Sequence, residues 1–368
     1  MSSYNVSCYT IDDKAYQDYI LPGVSRTFAL TIPQLPPKLR EVVANGYLLC
    51  RIADTIEDEP ALNPEQKKFF SSTFTAVVEG QAPAKPFART LYPLLSERTL
   101  AAERELIQNT PRIIRITHSF TPRQRAALER CVRIMCDGMP RFQNTASLRG
   151  LADMEAMNRY CYFVAGVVGE MLTELFCDYS PEANRNREAL RSLTISFGQG
   201  LQMTNILKDI WDDRERKICW LPRNIFEQVN FDLEKLAPDH YQPAFGDGLQ
   251  YLIGITHAHL RNALTYTLLI PPKDVGIRRF CLWAIGLAIL TLRKLHQRRD
   301  FSASQQVKIS RRSVKVTVLL TSIAASHDKI LTFLFNLAAR NVPFIPLEVA
   351  KADYKQAPTL QTLQKEET

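Results

Sequence analysis

Apolar residues recur at intervals of three and four along most of this chain, the spacing of one face of an α-helix. The pattern predicts helices over about 37–58, 64–79, 86–107, 122–143, 150–177, 186–214, 247–268, 276–298 and 311–340, with ends good to ~2–4 residues. Pro36-Pro37 opens the first long one, as proline suits a first helical turn. The segments 178–186 and 221–246 read as loops, the second rich in proline. Strand-like alternation is scarce and only 14 glycines occur in 368 residues. The expectation is an all-α single domain over residues 1–350, with a central cavity between helices as the ligand site, and a polar C-terminal tail over 351–368.

Composition sharpens this only in part. Apolar residues make up 46% of the chain, enough for a sizeable core. The formal charge is +8, from 46 Lys and Arg against 38 Asp and Glu. That excess suits an anionic small molecule or an acidic membrane surface. No dense Lys/Arg run marks a nucleic-acid arm, so no nucleic-acid partner is expected. The eight cysteines include no C-x-x-C pair, and most sit inside apolar helical patterns, which predicts free thiols in a reducing cytosol. The N-terminal residues show no basic start followed by an apolar stretch. The longest uncharged apolar run, Phe280 to Leu292, is shorter than the roughly 20 residues a membrane span needs. The expectation is a cytoplasmic protein that is soluble or lies peripherally against a membrane.

Candidate chemistry begins at Arg51-Ile-Ala-Asp54-Thr-Ile-Glu57-Asp58. On a helix, Asp54 and Asp58 share a face, and the same stripe collects Tyr47 and Arg51. A second stripe holds Gln202, Asn205, Asp209 and Asp213, with Lys208 beside it. Like charges four apart on a helix cost ~0.2–0.5 kcal/mol per pair. In a partly buried site the cost is larger unless a cation sits between them. Magnesium takes oxygen ligands and usually needs one or two carboxylates plus substrate phosphate. Two facing stripes of this kind would hold Mg²⁺ against a diphosphate, and Arg51, Arg26 and Lys208 would add positive charge. The alternative is a pair of solvated acidic faces. Gln202, Asn205 and Tyr47 among apolar neighbours argue against it.

Four blocks together resemble the squalene/phytoene synthase family, over most of the chain. Ser25-Arg26-Thr27-Phe28 is similar to the family's diphosphate-binding flap. Tyr47 to Asp58 resembles its first aspartate motif, Tyr160 to Gly169 its conserved-tyrosine helix, and Gln202 to Asp213 its second aspartate motif. The resemblance implies an isoprenoid-synthase helical fold and a Mg²⁺-dependent prenyltransferase. It implies metal sites at Asp54, Glu57, Asp58, Asp209 and Asp213, catalytic roles for Tyr160, Tyr47 and Arg51, and substrate contacts at Ser25, Arg26, Phe28, Gln202, Asn205, Lys208 and Phe280. Lys208 stands where relatives commonly carry Arg, which keeps the charge but not the guanidinium fork. Gly166 and Gly169 read as packing residues that let helices approach.

The implied reaction joins two molecules of farnesyl diphosphate through presqualene diphosphate. The squalene branch of the family then uses NADPH; the dehydrosqualene and phytoene branches lose a proton instead. Phe280-Cys281, Ala288-Ile289 and Thr291-Leu292 resemble the late helix of the squalene branch. Lys308, Arg311 and Arg312 resemble its basic segment, where NADPH phosphates would bind. Contact with anionic lipid is the other use of the same cations. His296-Gln297-Arg298-Arg299 replaces an asparagine-rich stretch of the family, which keeps the reductant-free branch in play. A further alternative is a catalytically silent, synthase-like scaffold, which would have lost the stripe aspartates. No G-x-G-x-x-G or P-loop is present, and His257 and His259, two apart, make a poor metal pair.

Overall fold

The structure, a computed structural model, describes residues 12–25, 27–143 and 146–348. Arg26 and the expected tail over 351–368 lie outside the described residues. Among the described residues everything regular is helical, and the one β-type pairing is an isolated bridge between Leu151 and Pro222. The chain divides into two compact units: residues 1–144 with 174–184, and residues 145–173 with 185–368.

The first unit holds α1 (Asp13–Val24), α2 (Pro37–Asp58), α3 (Pro64–Val78), α4 (Ala84–Leu91), α5 (Ala101–Gln108), α6 (Thr110–Ser119) and α7 (Pro122–Gln143). Proline at the first turn starts α2, and Leu39, Val42, Val43, Leu49, Ile52, Ala53 and Ile56 form its buried face. Asn45, wholly buried, ties three helices together. Its amide donates to Gln17 Oε1 (3.2 Å) on α1 and to the Ile113 carbonyl (3.1 Å) on α6, and it accepts from Thr117 Oγ1 (2.8 Å). A buried amide must find such partners, so this knot fixes how α1, α2 and α6 meet.

The expected single helix over 86–107 is broken. Pro93 sits in a 3₁₀ turn over Tyr92–Leu94, and Leu95 turns extended. Glu59 then accepts from the Ser96 amide (3.0 Å), while Arg104 donates to the Leu95 carbonyl (2.6 Å). The helices α1 and α6 lie outside the sequence expectation altogether.

The second unit is built on α9 (Arg187–Lys208) against α12 (Pro243–Leu269), with α13 (Val275–Gln297) packed on both. Around these lie α10 (Ile210–Glu215), α11 (Arg223–Gln228), α14 (Arg311–Ala324), α15 (Asp328–Ala338) and most of α8 (Met154–Tyr179). Glycine allows α8 and α9 to touch: a Cβ on Gly198 would sit 2.4 Å from the Ala165 carbonyl oxygen, and one on Gly169 2.8 Å from that of Thr194. The packing role expected of Gly169 is therefore met. Thr173 closes the same seam, with Thr194 Oγ1 and Tyr266 Oη each 2.9 Å away.

Three expected helices differ in this unit, and the expected loop over 221–246 carries the short helix α11. The long helix α8 winds as a π-turn over Tyr162–Gly166. The expected helix 186–214 bends at Asp209 (φ −100°, ψ 17°) into α9 and α10. The expected helix 311–340 breaks between Ala324 and Asp328, where buried Arg278 takes the Ala325 carbonyl (3.0 Å). By length and composition α8 and α13 pass for membrane spans, but 67% of each apolar window is buried, as in core helices. The seven described cysteines are free and buried.

Candidate active site

The first aspartate motif closes α2. Tyr47, half-buried, donates to the Val24 carbonyl (3.0 Å) and carries Phe28 against its ring (5.2 Å between centroids). Ser25 Oγ accepts from the Phe28 amide (2.9 Å), which sets the turn that brings Phe28 there. One turn further on, Arg51 Nη2 donates to Tyr47 Oη (3.1 Å), and Nη1 lies 3.8 Å from Asp54 and 3.7 Å from Glu103. Arg51 Nε is buried and makes no hydrogen bond. A buried guanidinium N–H without an acceptor is costly. Arg51 is thus a cation with donor capacity left over for an anion.

Burial dominates the carboxylates here, and Arg51 offsets it only in part. Asp54 is pushed up to about 6, by burial first and then by Asp58 and Glu103, with Arg51 pulling the other way. Glu57 is pushed up to about 8 by burial and by Asp58 and Asp54. It turns to Gln143, whose amide donates to it at 3.2 Å, and Lys67 donates to its backbone carbonyl. Asp58 is exposed. Glu103, on α5, was not singled out by sequence: it is one of many acidic residues on amphipathic helices, and only the fold brings it to Arg51. Burial raises its pKa as well.

The second motif lies in the other unit, across the α9–α10 bend. The bend keeps the stripe, because the Asp209 amide still donates to the Asn205 carbonyl (2.9 Å) and the Asp213 amide to that of Asp209 (2.9 Å). Lys208 Nζ sits 3.1 Å from Asp209 and 3.4 Å from Asn205 Oδ1, so both flank the lysine. Burial raises the pKa of Asp209, Asp212 adds to that, and Lys208 and Lys308 pull it back. Lys308, from the basic segment, is therefore within electrostatic reach of this motif. Asp213, buried, accepts from Arg216 Nη2 (2.7 Å). Gln202 is half-buried and Asn205 exposed on the same stripe.

Tyr160, 6% exposed, stacks on Trp220 with centroids 4.0 Å apart and planes 11° off parallel. It lies in the last regular turn of α8 before the π-turn, a distortion that recurs at functional sites. Phe280 is buried on α13. Arg311 and Arg312 are exposed at the start of α14.

Among the described residues no three His, Cys, Asp or Glu side chains form a ready metal cage. The donor set still fits magnesium: hard carboxylate oxygens, two of them on Asp54 and Asp209 side chains whose pKa burial raises, one or two to an ion, the rest of the shell left to phosphate and water. A cavity of about 350 Å³ between α13, α14 and α15 is lined by none of the aspartates; of the candidate residues only Arg312 reaches it.

Residues 21–313 match the squalene/phytoene synthase family model and take in both aspartate motifs and Tyr160. The chain belongs to the squalene/phytoene synthase family. Among curated relatives, it is 27% identical over 285 residues to the Botryococcus squalene synthase of Botryococcus braunii, covering 74% of this chain and 56% of that protein. It is 26% identical over 339 residues to the squalene synthase of Schizosaccharomyces pombe, covering 90% and 70%. The chain thus spans little more than half the length of several curated relatives. The fold resembles that of TcSQS in complex with E5700 (TM-score 0.71, 22% identity, 93% of this chain and 94% of that one). It also resembles a dehydrosqualene synthase (TM-score 0.62, 18% identity, 88% and 96%). The squalene/phytoene synthase fold is therefore shared with members that differ in product.

Proposed function

We propose that this protein couples two molecules of farnesyl diphosphate head to head, through presqualene diphosphate, and reduces the product to squalene with NADPH. One observation carries the coupling step. Each unit holds two aspartates on one helical stripe with a cation alongside, Arg51 by Asp54 in one and Lys208 by Asp209 in the other, and burial raises the pKa of Asp54 and of Asp209. Such stripes are completed by divalent cations and a diphosphate.

Bound Mg²⁺ would neutralise charge growing on the departing diphosphate, held by Asp54 and Asp58 and by Asp209 and Asp213. Glu57, buried beside Asp58, is a weaker ligand candidate than the stripe aspartates. The buried Arg51 Nε offers a further donor to a phosphate oxygen. Tyr47 fixes that guanidinium by accepting from Nη2, and Phe28 fixes Tyr47 in turn. Arg26, outside the described residues, remains a phosphate contact in this proposal, with Ser25 ordering the turn before Phe28.

The chemistry then runs on carbon. The C1–O bond of one substrate breaks and diphosphate leaves with the electron pair. C1 alkylates the C2–C3 double bond of the second substrate, and loss of a proton closes the cyclopropane. We assign Tyr160 Oη to ionisation or proton removal in this step. The stack on Trp220 holds the ring in one orientation and shields it from water, which would trap a cation.

The remaining C–O bond would then break, the second diphosphate leaving with the electron pair, and the cation left behind would rearrange and take hydride from NADPH. Lys308, near Asp209, is the first candidate for its phosphates, with Arg311 and Arg312 next in the chain. The squalene synthases among the curated relatives favour this branch. A reductant-free enzyme that ends in dehydrosqualene is the second reading, favoured by His296-Gln297-Arg298-Arg299 in place of the asparagine-rich stretch.

The test is incubation of the purified protein with farnesyl diphosphate and Mg²⁺, with and without NADPH, followed by identification of the hydrocarbon. Squalene should form only with NADPH. Without it, presqualene diphosphate, dehydrosqualene or alcohols should accumulate. An identical hydrocarbon in both arms selects the reductant-free branch, and no release of diphosphate in either selects the silent scaffold.

A further inference from the structure

The helix α14 is apolar on the side that faces water. Val316, Leu319, Leu320 and Ile323 follow one stripe, and all are exposed, Leu319 at 59% and Ile323 at 71%. Only Ala324 of this helix is buried. On α15 the stripe Ile330, Phe333 and Leu337 is likewise exposed, Phe333 at 64%, while Leu331 and Phe335 turn into the core. The two faces adjoin, since Val316 and Leu320 line one wall of the 350 Å³ cavity and Leu334 and Leu337 another. Scattered exposed leucines need no explanation, but a contiguous apolar face marks an interaction surface.

The charge around this face has one sign. Between Asp300 and Asp328 there is no acidic residue, but there are Lys308, Arg311, Arg312 and Lys315. Arg312 and Lys315 precede Val316 and Leu319 by four, so the cations continue the apolar stripe of α14. Arg340 stands three residues after Leu337 on the α15 side. The acidic residue at the start of α15, Asp328, is taken by buried Arg278 at 2.6 Å.

We propose that the α14–α15 face docks on an anionic lipid bilayer, the apolar stripes entering the headgroup–acyl boundary and the cations meeting lipid phosphates. A helix with large apolar residues on one face and Lys/Arg beside them binds a membrane in its plane in this way. A second copy fits less well. A symmetric pair would bring the same cations together with no carboxylate to offset them. Residues 351–368 are a poor cover, since Leu360 and Leu363 are their only large aliphatic residues. The face uses no aspartate of either motif, but it shares Lys308, Arg311 and Arg312 with the proposed NADPH contacts, so lipid and reductant would compete for those cations while the apolar stripes serve the bilayer alone.

The experiment is sedimentation of the full chain with phosphatidylcholine vesicles, with and without phosphatidylglycerol. The probe variant is Leu319→Asp with Ile323→Asp and Phe333→Asp. These positions are exposed, so the fold should hold, and circular dichroism checks it. The native protein should bind the anionic vesicles and lose binding as salt is raised. The triple variant should bind about tenfold less or weaker still. Equal binding to pure phosphatidylcholine overturns the proposal, as does equal binding by the variant. So does a native protein that binds no vesicles, whether because its own C-terminal residues or a second copy covers the face. A dimer by light scattering that Ile323→Asp alone splits identifies the second copy as occupant and likewise overturns it.

Discussion

Tyr160 lies flat on Trp220, centroids 4.0 Å apart, in a stack that joins the end of a regular helical turn to the segment after the second aspartate motif. Aromatic pairs of this kind contribute about 0.5–1.5 kcal/mol beyond their buried area. The contact holds the ring; the hydroxyl carries the chemistry. Tyr160→Phe should therefore leave melting nearly unchanged and slow presqualene diphosphate formation by a factor on the order of 10²–10⁴. Trp220→Leu should lower both melting temperature and rate. A Tyr160→Phe enzyme with an unaltered first step makes Tyr160 a packing residue.

Asp54→Asn and Asp209→Asn should each abolish diphosphate release while the helical circular dichroism persists. Burial raises the pKa of both carboxylates, so a divalent cation bound there would stabilise their charged form. Near-normal turnover in either variant at saturating Mg²⁺ would defeat the metal assignment.

Glu57 gives a prediction with a definite sign. Its folded pKa of about 8 lies above the ordinary carboxylate value because burial and two neighbouring aspartates disfavour the charge. The folded state therefore holds a proton that the unfolded chain releases at lower pH. Stability from this group rises as pH falls through about 8 and levels off below the ordinary carboxylate range. Glu57→Gln removes the charged form, so the metal-free variant should melt ~2–4 °C higher than the native protein at pH 8.5. The advantage should vanish by pH 5. A difference that grows toward low pH contradicts this placement.

Arg278 is wholly buried and donates to Asp328 (2.6 Å) and to the carbonyls of Ile270 (2.8 Å), Ala325 (3.0 Å) and Leu268 (3.1 Å). It ties the end of α12 to the break between α14 and α15. Arg278→Met should strand those acceptors and cost about 3–5 kcal/mol, seen as a fall in Tm of roughly 6–15 °C. A melting curve that does not move would show that the carbonyls find water instead.

The chemistry-bearing stripes were legible because helical periodicity is a local property. The helices Pro37–Asp58 and Pro122–Gln143 end where the pattern places them, and Tyr47, Arg51, Asp54 and Asp58 share a stripe by spacing alone. The family resemblance rested on the same residues, and the match over 21–313 bears it out. Partners distant along the chain were not legible, since nothing local selects them. Glu103 beside Arg51, Trp220 under Tyr160 and Lys308 near Asp209 are products of packing. Helix breaks follow the same rule. Local periodicity favours one helix over 86–107, but Pro93, the Glu59 carboxylate on Ser96 and Arg104 on the Leu95 carbonyl together satisfy the backbone better in two pieces. The amino-acid order by itself thus determined which residues lie together along a helix. Tertiary structure decided which are buried and beside which charge, and so how far Asp54, Glu57 and Asp209 depart from ordinary carboxylates, because desolvation and Coulomb interaction depend on neighbours in space and not in sequence.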